Sequence, residues 1–435
     1  MSHDFSHRST GGSADASSPR LVVAGLGYVG LPLAVRAAEA GYAVTGVDTD
    51  AYRVKSAAAG DSYIEDIGGA RLRAAVDSGR LRTTDDYATA GTLDIGVITV
   101  PTPLRGGSPD LRYVEAAGRG LAPLLRPGAL VVLESTSYPG TTEEVLLPVL
   151  EEGSGLSAGA GFHLGYSPER IDPGNPRWTL ENTPKLVSGI DAASLAAVEE
   201  FYGHLVERTV PVSGPRTAEL TKLLENTFRQ VNIALINELA LCARPLGVDI
   251  WEAVEAAATK PYGFMPFRPG PGVGGHCLPV DPAYLSWDVE RQLGHDVRFI
   301  SLAGEVNDRM PGHVVERVAA GLRERGKELS GARVLVLGLA YKKNTGDLRE
   351  SPAVTVCALL RESGARLRAV DPYADPRALD SDTVRVPLTE EEVRAADAVL
   401  VLTDHDTFDY ALVARCASYV FDARDRCPGP RTERL

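Results

Sequence analysis

The chain has 435 residues, more than one hydrophobic core ordinarily supports, so two or three domains are expected. Apolar residues at 44% and charged residues at 24% give an ordinary globular balance, and a formal net charge of -13 argues against a nucleic-acid partner. No apolar run approaches the roughly 20 residues that span a bilayer, and five widely spaced cysteines without a CxxC pair (Cys242, Cys277, Cys357, Cys416, Cys427) fit reduced thiols in a cytoplasmic protein better than a disulfide framework or a metal site.

Residues 1–19, polar and Gly/Ser-rich with no apolar h-region, read as a disordered tail and not as a signal peptide. Leu21 to Ala24 then reads as a buried strand, followed by a glycine turn, a helix to about Ala40 and a second strand from Ala43 to Asp48. Further strands are expected within 94–103 and 129–137, separated by helix-like segments. That alternation predicts a doubly wound parallel sheet in a domain spanning 20–212. From about Thr217 the chain runs 26 residues without Gly or Pro. Leu220, Leu224, Phe228, Val231, Leu235, Leu239 and Cys242 step by three or four, one face of a long amphipathic helix. A helical segment is expected over 213–325. After a polar linker near 324–332, "RVLVLG", "ARLRAVDPY" and "ADAVLVLTDHD" repeat the strand and glycine-turn outline of the first domain, giving a second α/β domain over 326–435. The fold predicted is α/β, two Rossmann-like doubly wound domains joined by a long central helix.

Gly25, Gly27 and Gly30 form GxGxxG directly after a strand and at the start of a helix, with Asp48 ending the next strand. Such glycines let the backbone approach a pyrophosphate seated on the positive helix terminus. An acidic residue at Asp48 accepts from a ribose 2′-hydroxyl and repels a 2′-phosphate, which points to NAD rather than NADP. Arg53 stands where it can reach the adenine or that ribose. A flavin site, a nucleotide-sugar site or a merely structural turn are the competing readings of the same motif.

The stretch "GPGVGGHCLPVDP", Gly270 to Pro282, surrounds Cys277 with glycines and prolines. The cysteine reads either as a nucleophile or as a small buried thiol. Glycines 270, 272, 274 and 275 read as clearance for a ligand, and the prolines as stiffeners. In an extended loop, Asp281 returns to the side of Cys277; His276 points away and is not assigned as its base. Lys222 and Asn226, four apart on the long helix, share a face distinct from the apolar stripe: either solvated, or supplying a cation and an amide to a reacting centre. Thr102, Glu134 to Thr136, and Glu169 sit at expected strand ends, where open α/β sheets bind ligands. Lys342, Lys343 and Arg349 form a basic turn suited to a diphosphate or a carboxylate, or simply exposed.

Taken together, "GLGYVGLPLA", "AELTKLLENTFRQVNIALINELA" with "GPGVGGHCLPVDP", and "GLAYKKNTGDLRESPA" resemble the UDP-glucose/GDP-mannose dehydrogenase family from about Leu21 to about Asp425, nearer its UDP-N-acetylhexosamine branch. The resemblance implies a four-electron, NAD-dependent oxidation of a UDP-sugar primary alcohol to the uronic acid, through a thiohemiacetal and thioester on Cys277. It implies Lys222 stabilising the oxyanion, Asp281 assisting water, Asn226 near the reacting oxygens, and Glu169 and Thr136 in the water and proton network. NAD would meet Gly25, Gly27, Tyr28, Val29, Gly30, Asp48, Arg53, Thr102, Thr136 and Arg349. The sugar nucleotide would meet Glu169, Lys222, Asn226, Phe267, Gly270, Gly274 and Lys342. A homodimer through the central helix is implied, with no membrane or nucleic-acid partner. Arg268 departs from the aromatic or neutral residue expected in that branch, which leaves the exact sugar open between UDP-N-acetylhexosamines and UDP-glucose. A nucleotide-sugar-binding regulatory protein without catalysis, or a two-electron alcohol dehydrogenase, are the other readings.

Overall fold

The computed structural model describes residues 18–64, 67–172, 175, 177–275, 277–375 and 383–435, so nearly all of the expected 1–19 tail, and His276, lie outside the described residues. Two compact units divide the chain, one ending at Lys222 and the other running from Leu223 to Leu435.

The first unit is built on strands β1 (Arg20–Ala24), β2 (Ala43–Val47), β3 (Leu81–Thr84), β4 (Leu93–Ile98), a short hairpin of β5 (Leu104–Arg105) and β6 (Ser108–Pro109), β7 (Leu125–Leu133), β8 (His163–Tyr166), β9 (Lys185–Gly189) and β10 (Thr209–Pro211). Apart from the hairpin they form one sheet in the order β10-β9-β8-β7-β4-β1-β2-β3. Pairing is parallel except between β8 and β9. Helices α1 (Gly30–Glu39), α2 (Ala51–Ala58), α3 (Gly69–Asp77), α4 (Arg112–Leu121), α5 (Leu147–Ser154) and α6 (Ala192–Gly203) accompany them. The order reverses direction between β1 and β4, so ligand groups gather past the carboxyl ends of those strands. β1 is buried from Leu21 onward, and Leu31, Leu33, Ala34 and Val35 of α1 join Leu21 and Val23 in its core. The expected strands at 94–103 and 129–137 end earlier, at Ile98 and Leu133. Thr102, Glu134 and Thr136 therefore occupy the loops beyond the sheet.

Helix α7 (Pro215–Ala243) carries the chain from the first unit into the second. It is followed by α8 (Ile250–Ala258), α9 (Cys277–Leu293) and α10 (Arg298–Arg323). Its apolar stripe has an unexpected environment: Leu224 is 62% exposed, Leu235 50% and Phe228 45%, with Leu220, Leu239 and Cys242 also exposed. The buried positions instead include Glu219, Lys222, Asn226, Gln230 and Asn237.

The second sheet has the order β13-β12-β11-β14-β15-β16, all parallel: β11 (Arg333–Leu337), β12 (Arg366–Val370), β13 (Val384–Arg385), β14 (Ala398–Val401), β15 (Val420–Asp422) and β16 (Thr432–Arg434). Successive side chains of a strand face opposite ways. Val334 and Val336 accordingly enter a core with Val314, Val318 and residues Val356 and Leu360 of α11 (Pro352–Glu362), while Leu335 and Leu337 enter another. That second core includes Val393 of α12 (Glu390–Ala395) and Val413 of α13 (Tyr410–Cys416). Covering both faces is what makes the central strands β11 and β14 read as continuous apolar runs. After β11 and the Gly338 turn the next helix begins only at Pro352, leaving a fourteen-residue connection that contains the basic turn.

Candidate active site

In the first unit, Gly25 adopts φ +95°, and a Cβ there would stand 2.8 Å from the Thr99 carbonyl oxygen. At Gly30 a Cβ would lie 1.9 Å from the Gly25 carbonyl oxygen. Both are glycines because the turn folds onto itself and onto β4, and Thr99 Oγ1 fastens it by donating to the carbonyls of Ala24 and Gly25 at 3.0 and 2.8 Å. Gly27 differs. The nearest atom to its Cβ position is Arg53 Nη1 at 3.9 Å, so protein packing does not demand a glycine there. An open cradle at the middle glycine, ahead of a ten-residue helix, fits a dinucleotide pyrophosphate. Tyr28 and Val29 complete the turn before α1. The buried Asp48 carboxylate accepts from Leu26 N at 2.7 Å and Asp50 N at 2.9 Å, and Arg53 lies 3.4 Å from it. These residues would hold NAD, with the Asp48 side toward the ribose.

Past β4 and β7, Thr102 is buried and Thr136 partly buried. Ser135 Oγ donates to the Val100 carbonyl at 2.7 Å, tying these two loops together. Glu219 of α7 accepts from Gly140 N, Thr142 N and Thr142 Oγ1 at 2.6, 2.9 and 2.7 Å, anchoring the segment that follows Thr136. Burial pushes its carboxyl pKa upward against those donors.

One turn along α7, Lys222 is buried, contrary to a solvated-face reading, and its ammonium donates to the Glu169 carbonyl at 2.6 Å. The Glu169 side chain accepts from Arg170 N at 2.6 Å and from Ile171 N, and lies 3.5 Å from Lys185 Nζ. Lys185 also meets Glu134 Oε1 at 3.2 Å, and Tyr202 donates to that same oxygen. Lys185 and Tyr202 belong to no motif and Glu219 reads as one more charged residue of the long helix; for Lys185, a lysine opening the apolar run of β9 is the available signal.

In the second unit, Cys277 opens helix α9, with Asp281 one turn further. This corrects the extended loop expected there: the stretch from Cys277 to Asp281 is the first turn of a helix. The Asn226 amide donates to Asp281 Oδ2 at 2.5 Å, both residues being buried. The glycines before Cys277 also have a packing reason. A Cβ at Gly274 would meet Glu350 O at 2.6 Å, Pro352 Cδ at 2.7 Å and Tyr341 Cβ at 2.8 Å, and at Gly275 the Tyr341 ring at 2.8 Å. Gly272 faces Pro352, and Gly275 N donates to the Arg349 carbonyl at 3.1 Å. These glycines let the loop lie against the 341–352 segment. Gly270 is held by Asn237 Oδ1 at 2.9 Å, and the Arg424 guanidinium stands 3.0 Å from where its Cβ would be. Arg424 is a further cation beside the loop that no sequence motif marked.

The basic turn is neutralised locally: Arg349 grips Asp347 at 2.6–3.0 Å, Lys343 lies 3.3 Å from Asp406, and Lys342 is partly buried. Phe267 packs edge-on against Phe228 at 5.8 Å, and the exposed Arg268 reaches Glu255 at 3.4 Å. Among the described residues no helix is long and apolar enough to cross a membrane.

Two doubly wound sheets, the first with a complete dinucleotide turn, define an NAD-dependent dehydrogenase with a second nucleotide-type domain. Family models agree along the chain: the UDP-glucose/GDP-mannose dehydrogenase NAD binding domain matches residues 19–206, the central domain 216–309 and the UDP binding domain 335–427. The chain is 38% identical over 390 residues to UDP-N-acetyl-D-mannosamine dehydrogenase of Pyrococcus horikoshii, covering 89% of this chain and 90% of that protein. It is 35% identical to UDP-N-acetyl-D-glucosamine 6-dehydrogenase of Pseudomonas aeruginosa, covering 89% and 91%. A solved structure of a UDP-glucose dehydrogenase from Pyrobaculum islandicum is similar at TM-score 0.84 and 31% identity, covering 97% of this chain and 98% of that one. The chain belongs to the UDP-glucose/GDP-mannose dehydrogenase family, and its substrate is a UDP-sugar.

Proposed function

We propose that this chain oxidises the C6 alcohol of a UDP-N-acetylhexosamine to the carboxylate, with Cys277 holding the intermediate between two oxidations. The observation that carries the reading is the buried Asn226–Asp281 hydrogen bond on the helix that Cys277 opens. A carboxylate fixed one turn beyond the first residue of that helix is placed to orient water, and a helix N-terminus favours a thiolate. Bound NAD supplies the hydride acceptor for both oxidations. Glu169 and Thr136 take part in moving the alcohol proton. The Cys277 thiolate adds to the aldehyde to give a thiohemiacetal, and loss of a second hydride leaves a thioester. The Lys222 ammonium balances the oxyanion, a role worth roughly 3 kcal/mol for a preorganised donor. Water oriented by Asp281 and Asn226 cleaves the thioester, returning the thiol and releasing the carboxylate. Across the cycle, one alcohol, one water and two NAD give one carboxylate, two NADH and three protons.

Gly25, Gly27, Tyr28, Val29, Gly30, Asp48, Arg53, Thr102, Thr136 and Arg349 are assigned to NAD. Phe267, Gly270, Gly274 and Lys342 are assigned to the sugar nucleotide together with Glu169, Lys222 and Asn226. Domains are set at 20–212, 213–325 and 326–435. The exposed stripe Leu224, Phe228, Leu235 and Leu239 supports a homodimer through α7, because such a patch on a single chain is costly in water. Cys242, Cys357, Cys416 and Cys427 are free thiols, which supports a cytoplasmic enzyme.

NADH production on UDP-N-acetylmannosamine, UDP-N-acetylglucosamine and UDP-glucose tests the substrate, with two NADH per sugar expected. One NADH and a released aldehyde would indicate a simple alcohol dehydrogenase, and none with any sugar a binding protein. Preference for UDP-glucose is the second reading, to which the similarity to the Pyrobaculum enzyme points. Cys277→Ser is expected to form no uronate; full turnover in that variant would refute the thioester route.

A further inference from the structure

We infer that Lys185 is a positioning residue for the oxidation, a buried ammonium that holds the Glu169 carboxylate and is itself held by Glu134. The inference rests on the reading of Glu169 as part of the proton and water network. Lys185 opens β9 and is 3% exposed. Its ammonium meets Glu134 Oε1 and the Pro168 carbonyl at 3.2 Å each and Glu169 Oε2 at 3.5 Å, and lies 5.1 Å from the centre of the Tyr202 ring. Every contact on the Glu169 side falls on one short segment, Pro168–Glu169, whose next carbonyl receives Lys222. Lys185 thereby fixes both the carboxylate and the main chain that orients the catalytic ammonium.

Stability alone does not account for such a group. A buried ion pair seldom outperforms an apolar filling of the same volume, and here two carboxylates share one cation. Glu134 Oε2 is buried without a hydrogen-bond partner, so the arrangement leaves a polar atom uncompensated. Burial raises the Glu134 pKa, opposed first by Lys185, so the second carboxylate is held by its cation rather than by solvent. The groups facing the Glu169 carboxyl are Lys185 from β9, Glu134 from the end of β7, the Tyr202 hydroxyl from α6 and the amides of Arg170 and Ile171, with Lys222 of α7 on its carbonyl. The Lys185 ammonium attracts the Glu169 carboxylate and the Glu134 carboxylate repels it, so the two neighbours act on Glu169 with opposite sign.

The test compares Lys185→Met, Lys185→Arg, Glu134→Gln, the double variant Glu134→Gln/Lys185→Met, and Glu169→Gln, by kcat, KM and the pH profile of kcat. Lys185→Met is expected to lower kcat roughly tenfold or more with KM for NAD unchanged, and to move the acid limb up by about one pH unit. Glu134→Gln is expected to move that limb down. The double variant, which removes the pair as a unit and so protects folding, returns it toward the starting position, and Lys185→Arg restores most of kcat. Limbs that stay put in both single variants, or that move the same way, overturn the inference. Glu169→Gln separates the two claims: if it keeps full kcat and an unchanged limb, the role of Glu169 is wrong. If it loses activity while Lys185→Met does not, only the role of Lys185 fails.

Discussion

Replacing Gly27 and Gly30 by alanine separates a glycine kept for the ligand from one kept for the fold. At Gly30 the added methyl would sit 1.9 Å from the Gly25 carbonyl, well inside the 3.0 Å that real contacts respect, and its neighbours are backbone and the Thr99 hydroxyl at 2.4 Å. Relief requires the turn to move by about 1 Å or more, a disruption of roughly 3 kcal/mol on the scale of overpacked cores. For a unit of about 200 residues that corresponds to a melting temperature lower by roughly 6–12 °C. At Gly27 the methyl meets only the end of the flexible Arg53 side chain at 3.9 Å. Gly27→Ala is therefore expected to melt like the parent protein. It would still place a methyl where the pyrophosphate approaches, a loss on the order of 2 kcal/mol or thirtyfold in Kd for NAD. Differential scanning fluorimetry and isothermal titration with NAD read the two effects separately. The reasoning is refuted if Gly27→Ala binds NAD as tightly as the parent, or melts as early as Gly30→Ala.

Leu235→Glu, on the exposed stripe of α7, is expected to convert a dimer to a folded monomer in analytical ultracentrifugation; a dimer that persists unchanged places the interface elsewhere. Asp371 gives the pH dependence of the second sheet. Its burial acts to raise the pKa, but His405 at 3.1 Å and the amides of Leu339 and Ala374 outweigh it, bringing the value from 3.8 down to about 2. A depressed acid contributes stability above its unfolded value and loses it as pH falls toward 2, here roughly 2 kcal/mol. Asp371→Asn is expected to melt earlier at pH 7 and to lose less stability between pH 4 and 2 than the parent; a parallel decline in both proteins contradicts the assignment.

The two sheets were legible because their central strands are buried on both faces, so Leu21–Ala24, Val334–Leu337 and Ala398–Val401 read as apolar runs ending at glycine or acidic turns. The helix at Cys277 was not. Three prolines and four glycines look like a loop, yet Pro279 sits in the first turn, where no amide is needed, and Pro282 lies further inside. Helix α7 exposes a deeper limit of periodicity. An apolar stripe shows which face avoids water, not which body covers it, and here Leu224, Phe228 and Leu235 remain open on the single chain. The face that this chain buries mixes Leu223, Ala234, Ile236 and Ala240 with polar groups held out of water: Glu219 anchors one loop, Lys222 another, and Asn226 the carboxylate on α9. Lys185 and Glu134 obey the same rule one layer further in, where no spacing marks them. A charged side chain inside an otherwise apolar strand is thus the one-dimensional trace that such a site leaves, and its partners become identifiable only once the sheet brings β7, β8 and β9 side by side.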